Sequence, residues 1–223
     1  EVAERAKMLW ICYPNSPTGA VAPAEFLQEA VAWCQRRDIL LASDEAYTEI
    51  YFTDEPPHSV LEFGKEGVLA VFSLSKRSAM TGYRVGWVAG DEEAVAAFRK
   101  VKTNLDSGTP TFIQDAAVAA LSDEEHVRAF REEYRKKRDL LVNAFVEAGL
   151  PECAPDAALY LWQCVPEGES ALDFAKRLLD PEVALVVTPG PWISQETEDG
   201  NPGEGYVRLA LVPSIEECET AAG

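Results

Sequence analysis

Three short apolar runs in the first part of the chain each stop at a cluster of polar residues, and this pattern constrains the fold more than any other feature. The runs begin at Met8, Ile39 and Val68, and segments of helical spacing or turn composition separate them. A continuous apolar run is typical of a strand buried on both faces of a parallel sheet. Strands that alternate with helices predict an α/β fold with a mainly parallel sheet.

The polar clusters after the three runs are candidates for a common site. Parallel strands bring their carboxyl ends to one edge of a sheet, where ligands bind. A lysine at that edge, with hydroxyls before it and an arginine after it, suits a Schiff base beside a bound phosphate. The candidates are Asn15, Ser16, Asp44, Tyr47, Ser73, Ser75, Lys76 and Arg84.

Each candidate also has an ordinary structural interpretation. Lys76 fits a surface lysine, because lysines are mostly exposed. Asp44 fits a strand-end cap and Tyr47 a core tyrosine, while Arg208, in a later apolar run, fits a strand arginine. The residue pattern alone leaves these alternatives open.

The second part of the chain has a different pattern, which predicts a smaller α+β domain. Helical spacing covers 111–121, and a capping box at Ser122–Glu125 predicts a long helix that ends near Gly149. Strand-like runs at 160–165, 183–188 and 206–212 surround a helical segment at 170–179. We therefore place a domain change at the long helix, with 1–124 on one side and 125–223 on the other.

Composition excludes several classes of function. The formal net charge of −18 disfavours nucleic acid as a partner. Five scattered cysteines without a CxxC pair favour free thiols in a reducing, cytoplasmic setting. Two histidines are too few for a histidine-rich metal site, so we predict no metal. No apolar run is long enough to span a membrane, and the charged start does not resemble a signal peptide.

Four blocks of sequence resemble, in order and spacing, the signatures of class I/II pyridoxal-phosphate aminotransferases of fold type I. They are YPNSPTG (13–19), DEAY (44–47), SLSKRSAMTGYRVG (73–86) and GYVRLALV (205–212). The resemblance implies that 1–124 is the carboxyl-terminal portion of the large cofactor-binding domain. It further implies that 125–223 hold a connecting helix and the small domain, with residues before this chain completing the site.

The resemblance assigns a role to each candidate residue. Lys76 is the Schiff-base lysine and proton carrier, Asp44 faces the pyridine nitrogen, and Tyr47 hydrogen-bonds the phenolic oxygen. The phosphate partners are Ser73, Ser75 and Arg84, and Arg208 binds the substrate α-carboxylate. Family members usually have asparagine where this chain has Ser16, so either Tyr47 carries the phenolic contact more alone or Asn15 reaches it.

The resemblance also implies substrates and partners. It is strongest to succinyldiaminopimelate aminotransferases, with LL-diaminopimelate aminotransferases close behind, through SLSKRS (73–78) and NLDSGTPTFIQDAA (104–117). We therefore expect amino-acid and 2-oxo-acid substrates, glutamate with 2-oxoglutarate as the second pair, and a homodimer of the full-length protein. A role in lysine biosynthesis follows from the same expectation.

Three alternatives remain at this stage. A carbon–sulfur β-lyase of the same fold shares the motifs, and a fragment without its amino-terminal part could be non-catalytic. The string Ser73-Leu74-Ser75-Lys76 also fits the S-x-x-K motif of penicillin-binding proteins. The partner motifs of that family, S-D-N and K-T-G, are absent from the sequence.

Overall fold

A computed structural model describes residues 2–223, and Glu1, the first residue of the predicted large-domain portion, lies outside the described residues. The chain forms two compact units. Unit 1 contains the chain up to Asn15 and Ala20–Ala129, and unit 2 contains Ser16–Gly19 and Phe130–Gly223. The predicted division at 124/125 concerns the domains of the whole protein and stays a prediction.

Unit 1 contains a four-stranded sheet in the order β1-β2-β3-β4, in which the first three strands are parallel and β4 is antiparallel. This confirms the mainly parallel sheet expected from the apolar runs. The elements that lie in unit 1 are α1 (Val2–Arg5), β1 (Met8–Cys12), α2 (Ala24–Gln35), β2 (Leu40–Asp44), β3 (Val68–Ser73), α3 (Leu74–Arg77), β4 (Gly86–Gly90), α4 (Glu92–Leu105) and α5 (Thr111–Leu121).

The core of unit 1 forms where α2 covers the sheet. Leu27 and Val31, one helical turn apart, are buried in one cluster with Leu41 and Val68 of the central strands. Burying such a side chain fully stabilises the fold by about 1.5–3 kcal/mol. The apolar face of α2 and the apolar strands β2 and β3 thus pack against each other in one core.

Unit 2 contains a three-stranded antiparallel sheet in the order β5-β7-β6. Its core includes Leu141 of the long helix, Leu161 of β5 and Leu211 just after β7. The helix α6 (Glu125–Glu147) begins in unit 1 and is followed by β5 (Tyr160–Cys164), α7 (Ala171–Leu178), β6 (Thr188–Pro189), β7 (Tyr206–Ala210) and α8 (Ile215–Ala222).

Asp91 caps the start of α4, because its Oδ1 accepts from the backbone N–H of Ala94 at 2.9 Å. Of the two ends predicted for the long helix, one is confirmed and one is wrong. Gly149 follows α6 with a positive φ of 85°, as a glycine cap requires. The capping box at Ser122 is wrong: the Ser122 hydroxyl donates back to Val118 in α5, and Asp123 accepts from the Glu125 N–H instead.

The strand predicted at 183–188 is also wrong over most of its length. Only Thr188 and Pro189 pair in the sheet. Val183 and Ala184 both donate backbone hydrogen bonds to Asp180, and Leu185 donates to Leu178 at the end of α7. Turn hydrogen bonds therefore replace the strand in this apolar segment. Within residues 2–223, no helix is both long and apolar enough to cross a membrane.

Candidate active site

The carboxyl ends of β2 and β3 place the candidate residues of unit 1 along one edge of the sheet. Asp44 is the last residue of β2, and it is in register with Cys12 of β1 and Val71 of β3. Ser73 is the last residue of β3, and α3 follows it directly. Because these strands are parallel, the clusters that follow them emerge at the same edge.

Lys76 and Tyr47 are the pair that the structure brings together most directly. Lys76 is half-buried on α3, and its Nζ lies 5.8 Å from the centre of the Tyr47 ring. Tyr47 is buried in the turn after β2. An ammonium within about 6 Å of an aromatic ring is attracted to the ring face. The lysine is thus directed back toward the sheet edge, although its chemical role stays a prediction.

The Asp44 carboxylate is oriented by its own turn. Its Oδ1 accepts from the backbone N–H of Ala46 at 3.1 Å, which is a short-range turn hydrogen bond. This bond agrees with the strand-end interpretation of Asp44. It uses one of the two carboxylate oxygens, so a cap and a ligand role are compatible in the same side chain.

The proposed phosphate residues are connected through the loop after β3. Ser73 Oγ accepts from the Ser75 N–H at 3.1 Å and thereby caps α3. Thr81 Oγ1 donates to the Ser75 carbonyl at 3.1 Å, and Arg84 Nη1 donates to the Thr81 carbonyl at 2.8 Å. Arg84 is exposed and has a left-handed backbone with φ 53°. Its guanidinium has five N–H donors, of which this bond uses one.

The two residues of the first polar cluster belong to different units. Asn15 is in unit 1, where its Nδ2 donates to the Cys12 carbonyl at 3.4 Å and its backbone N–H to Ala20 at 2.9 Å. Ser16 begins the short segment of unit 2 in which Gly19 accepts from the Ala157 N–H at 3.1 Å. A cofactor contact by either residue stays a prediction.

Arg208 lies in the middle of β7, the central strand of the unit 2 sheet. It is in register with Trp162 of β5 and Thr188 of β6. Its guanidinium lies 4.6 Å from the centre of the Tyr160 ring, and Nη2 donates to Thr188 Oγ1 at 3.5 Å. Stacking and a hydroxyl hold the guanidinium without an acidic partner in these contacts, so its charge can serve an anion. Substrate binding by Arg208 stays a prediction.

Two buried charged residues next to the candidates were missed from the sequence. Glu45, directly after Asp44, is only 2% exposed and accepts from the Val60 N–H at 3.0 Å. Burial raises the pKa of the Glu45 carboxyl, while hydrogen bonds with Ser59, Val60 and Ser43 oppose that rise. Arg77, directly after Lys76, is 5% exposed. The sequence did contain a signal for both residues. Each is a charged residue directly beside a candidate, Glu45 at a strand end and Arg77 in a helical turn.

Comparisons with known proteins give the family. A model of the aminotransferase class I and II family matches residues 1–223. The chain is 40% identical over 225 residues to LL-diaminopimelate aminotransferase of Aquifex aeolicus (strain VF5), a match that covers 100% of this chain and 56% of that protein. The chain thus spans little more than half the length of the curated relatives that it matches.

Solved structures resemble the chain over nearly its whole length. An aminotransferase from Neisseria meningitidis Z2491 has a TM-score of 0.91 at 36% identity, with coverage of 99% of this chain and 57% of that one. A Thermus thermophilus protein described as a probable N-succinyldiaminopimelate aminotransferase has a TM-score of 0.86 at 34% identity, with coverage of 99% and 58%. The strand-end lysine, the fold and these matches agree: the chain belongs to the class I and II aminotransferase family, whose enzymes depend on pyridoxal phosphate.

Proposed function

We propose that this chain forms the lysine-bearing part of a pyridoxal-phosphate-dependent aminotransferase. The observation that carries the proposal is the position of Lys76, whose amine lies 5.8 Å from the Tyr47 ring beside the ends of β2 and β3. Asp44 and the hydroxyls of Ser73 and Ser75 lie at the ends of the same two strands or just beyond. An amine, an acid, a phenol and hydroxyls at one sheet edge match the functional groups of this cofactor.

The donor set of unit 1 fits the cofactor group by group. Lys76 would hold its aldehyde and Asp44 its pyridine nitrogen, with Tyr47 donating to its phenolic oxygen. Ser73, Ser75 and Arg84 would hold its phosphate, with charge-assisted hydrogen bonds from the arginine. When bound, pyridoxal phosphate supplies an electron sink for the bond electrons of the substrate α-carbon.

The reaction assigns different tasks to the residues of the chain. Lys76 Nζ, with its amine free, would be the base that takes the proton from the substrate α-carbon. The Asp44 carboxylate would favour a proton on the ring nitrogen of the cofactor, because an opposite charge stabilises the charged form. Arg208 would bind the α-carboxylate through two parallel hydrogen bonds, for which a planar guanidinium is suited.

The names of the relatives favour a diaminopimelate-type amino donor. LL-diaminopimelate aminotransferases match this chain at 40–43% identity. The similar Thermus thermophilus structure is named a probable N-succinyldiaminopimelate aminotransferase. We therefore propose an amino acid of this class as one substrate, with glutamate and 2-oxoglutarate as the second pair. We further propose that the full-length protein acts as a homodimer in lysine biosynthesis.

A labelling experiment tests the proposal on the chain itself. The purified chain is mixed with pyridoxal phosphate, reduced with borohydride and digested, and the labelled lysine is identified by mass spectrometry. We expect the label on Lys76 and its loss in Lys76→Arg, which keeps the charge. Lys100, an exposed lysine on α4, is the internal reference for non-specific labelling. An equal label on both lysines would contradict the site in this chain.

Product analysis separates aminotransfer from the two related alternatives. Incubation with LL-diaminopimelate or its succinyl derivative and 2-oxoglutarate should yield glutamate. Pyruvate and ammonia from cystathionine would instead indicate a carbon–sulfur β-lyase. A label on Lys76 without either product would indicate a cofactor-binding fragment that needs the amino-terminal part for turnover.

A further inference from the structure

The helical turn that carries Lys76 is too short to be stable without contacts from other parts of the chain. The helix α3 contains four residues, Leu74–Arg77. An isolated helix of this length is not stable. The conformational entropy lost in forming the first turn outweighs the free energy gained from its few hydrogen bonds. The direction of the Lys76 side chain therefore depends on the contacts that fasten the turn at both ends.

The start of the turn is fastened from within its own strand and loop. Ser73 caps it through the Ser75 N–H, and Leu74 is fully buried. These contacts fix where α3 begins. The Ser78 N–H closes the turn on the Leu74 carbonyl at 3.1 Å, but Ser78 itself leaves the helical conformation at φ −121° and ψ 18°, so no further helical turn supports this end.

Arg77 fastens the end of the turn to a distant part of unit 1. Its Nη1 donates to the Ala120 carbonyl at 2.9 Å and to Ser78 Oγ at 3.2 Å, while Nη2 forms an ion pair with Glu124. Ala120 lies in the last turn of α5, where carbonyls lack partners within the helix. One buried guanidinium thus joins α3 to the end of α5 and to the segment before α6.

A second connection runs in parallel through Ser78. His126 Nε2 lies 3.0 Å from Ser78 Oγ, and its Nδ1 lies 3.0 Å from Asp123 Oδ2. With the proton on Nδ1, the ring donates to Asp123 and accepts from the Ser78 hydroxyl. The Glu125 N–H and His126 lower the pKa of the Asp123 carboxyl, which favours its charged form. Two adjacent residues after Lys76 are therefore tied to the α5–α6 junction, which we define as residues 120–126.

We propose that Arg77 is a positioning residue for Lys76, and that its bonds to the α5–α6 junction hold the lysine amine at the Tyr47 side of the turn. Bond formation with an aldehyde requires the amine to be held within about 0.5 Å of its productive position. Without the guanidinium, Glu124 and the Ala120 carbonyl lose their partner and the end of the turn is released. This inference rests on the proposed function, because it assigns Lys76 the cofactor.

The test compares three variants with the unchanged chain. Arg77→Met removes the charge and all donors but keeps an unbranched apolar stem, and Glu124→Gln weakens the ion pair at a residue that is half-exposed. Arg177→Met is the matched control, because Arg177 forms a bidentate pair with Glu169, at 3.1 and 2.6 Å, on the surface of unit 2. Each protein is checked for folding by circular dichroism and thermal unfolding before labelling.

Two readouts follow Lys76 in the folded proteins. At limiting pyridoxal phosphate, we expect Arg77→Met to lower borohydride labelling of Lys76 about five-fold and Glu124→Gln about two-fold, with no change in the control. Without cofactor, acetylation of Lys76 relative to Lys100 should become about three-fold faster in Arg77→Met, because a released turn opens more often.

The outcomes distinguish this inference from the proposed function. If the unchanged chain takes no label on Lys76, the proposed function fails for the chain, and the acetylation rates alone decide the role of Arg77. Unchanged labelling and acetylation at Lys76 in the folded variants, even with a lower melting temperature, would show a structural role only and overturn the inference. If Arg77→Met does not fold, Glu124→Gln decides by the same two measurements.

Discussion

Two candidate cations, Lys76 of unit 1 and Arg208 of unit 2, are held by very different kinds of backbone. Arg208 lies in the central strand of a three-stranded sheet and has a register partner on each side, Trp162 and Thr188. Lys76 lies on one helical turn, which a few backbone hydrogen bonds close and which the side chains of Ser73 and Arg77 hold at its two ends. Regular backbone pairing therefore fixes the strand that carries Arg208, whereas the short turn that carries Lys76 also has side-chain contacts to a distant part of unit 1.

The largest change in stability that we expect comes from replacing a buried leucine, either in the turn that carries Lys76 or in the strand paired with that of Arg208. Leu74 and Leu161 are both fully buried, the first at the start of α3 and the second in β5. Either leucine replaced by alanine should cost about 2–5 kcal/mol of unfolding free energy, through lost burial and a cavity. Only Leu74→Ala should also reduce borohydride labelling of Lys76 in the protein that remains folded.

Denaturant unfolding and labelling at low temperature check this pair of variants. Equal loss of Lys76 labelling in Leu74→Ala and Leu161→Ala would show that the lysine depends on general stability rather than on its own turn. The difference in backbone between Lys76 and Arg208 would then have no effect on how Lys76 reacts with the cofactor.

The sequence could predict the regular part of this comparison and not the irregular part. A strand-like apolar run and the family blocks placed Arg208 in a strand, and the structure has β7 there. The contacts of Arg77 could not be read in the same way, because its partner Glu124 is 47 positions away. No local pattern records a contact over that separation. The strand wrongly predicted at 183–188 has a different cause. Its β-branched residues favour a strand, but short-range turn hydrogen bonds to Asp180 and Leu178 prevail.

The second prediction concerns a close backbone approach beside the lysine turn. Gly86 of β4 is in register with Ser73, and a Cβ added to it would lie 2.4 Å from the Phe72 carbonyl oxygen. Because that oxygen is backbone, Gly86→Ala must shift the strand end and should cost about 2–3 kcal/mol. Gly82→Ala is the control, since a Cβ there meets nothing within 4 Å.

Thermal unfolding with Lys76 labelling measures the effect of Gly86→Ala. We expect lower stability together with weaker labelling, because the strand end that carries Ser73 and α3 is displaced. Similar melting temperatures for Gly86→Ala and Gly82→Ala would show that β4 can separate from β3 without disturbing the site.

The third prediction tests the backbone-held cation, Arg208. Arg208→Lys keeps the charge but loses the planar pair of donors and the stacking on the Tyr160 ring. We expect binding of an α-amino acid to weaken about thirty-fold, or about 2 kcal/mol, the magnitude of a hydrogen bond to a charged group. Labelling of Lys76 should be unchanged, because the two cations are positioned independently.

Titration of the labelled or cofactor-bound chain with an amino acid and with its amide, which lacks the carboxylate, checks the assignment. The loss should be confined to the carboxylate form. Arg177→Lys, an exposed arginine of the same unit, is the matched control. If both substitutions weaken binding equally, Arg208 is an ordinary strand arginine.

The smallest effect concerns Glu45, which is buried between the two strand-end candidates Asp44 and Tyr47. Its Oε1 accepts from Val60, whereas its buried Oε2 makes no hydrogen bond with the described residues. Burial raises the pKa of this carboxyl. As pH rises, the unfolded chain therefore releases the Glu45 proton first, and the folded state loses stability until the raised pKa has been passed. Glu45→Gln removes this dependence and should stabilise the chain at neutral pH by about 1 kcal/mol.

The test measures the free energy of unfolding of Glu45→Gln and of the unchanged chain from acidic to neutral pH. The advantage of the variant should be absent at acidic pH, where the carboxyl is protonated in both states, and should grow as pH rises. Glu29→Gln, at an exposed position of α2, should show no such trend. A variant less stable than the unchanged chain at neutral pH would mean that the Glu45 carboxylate holds the turn after β2 in its charged form. Contacts of a single side chain would then position Asp44 and Tyr47, as we propose for Lys76, whereas Arg208 would stay on a strand that regular pairing holds on both sides.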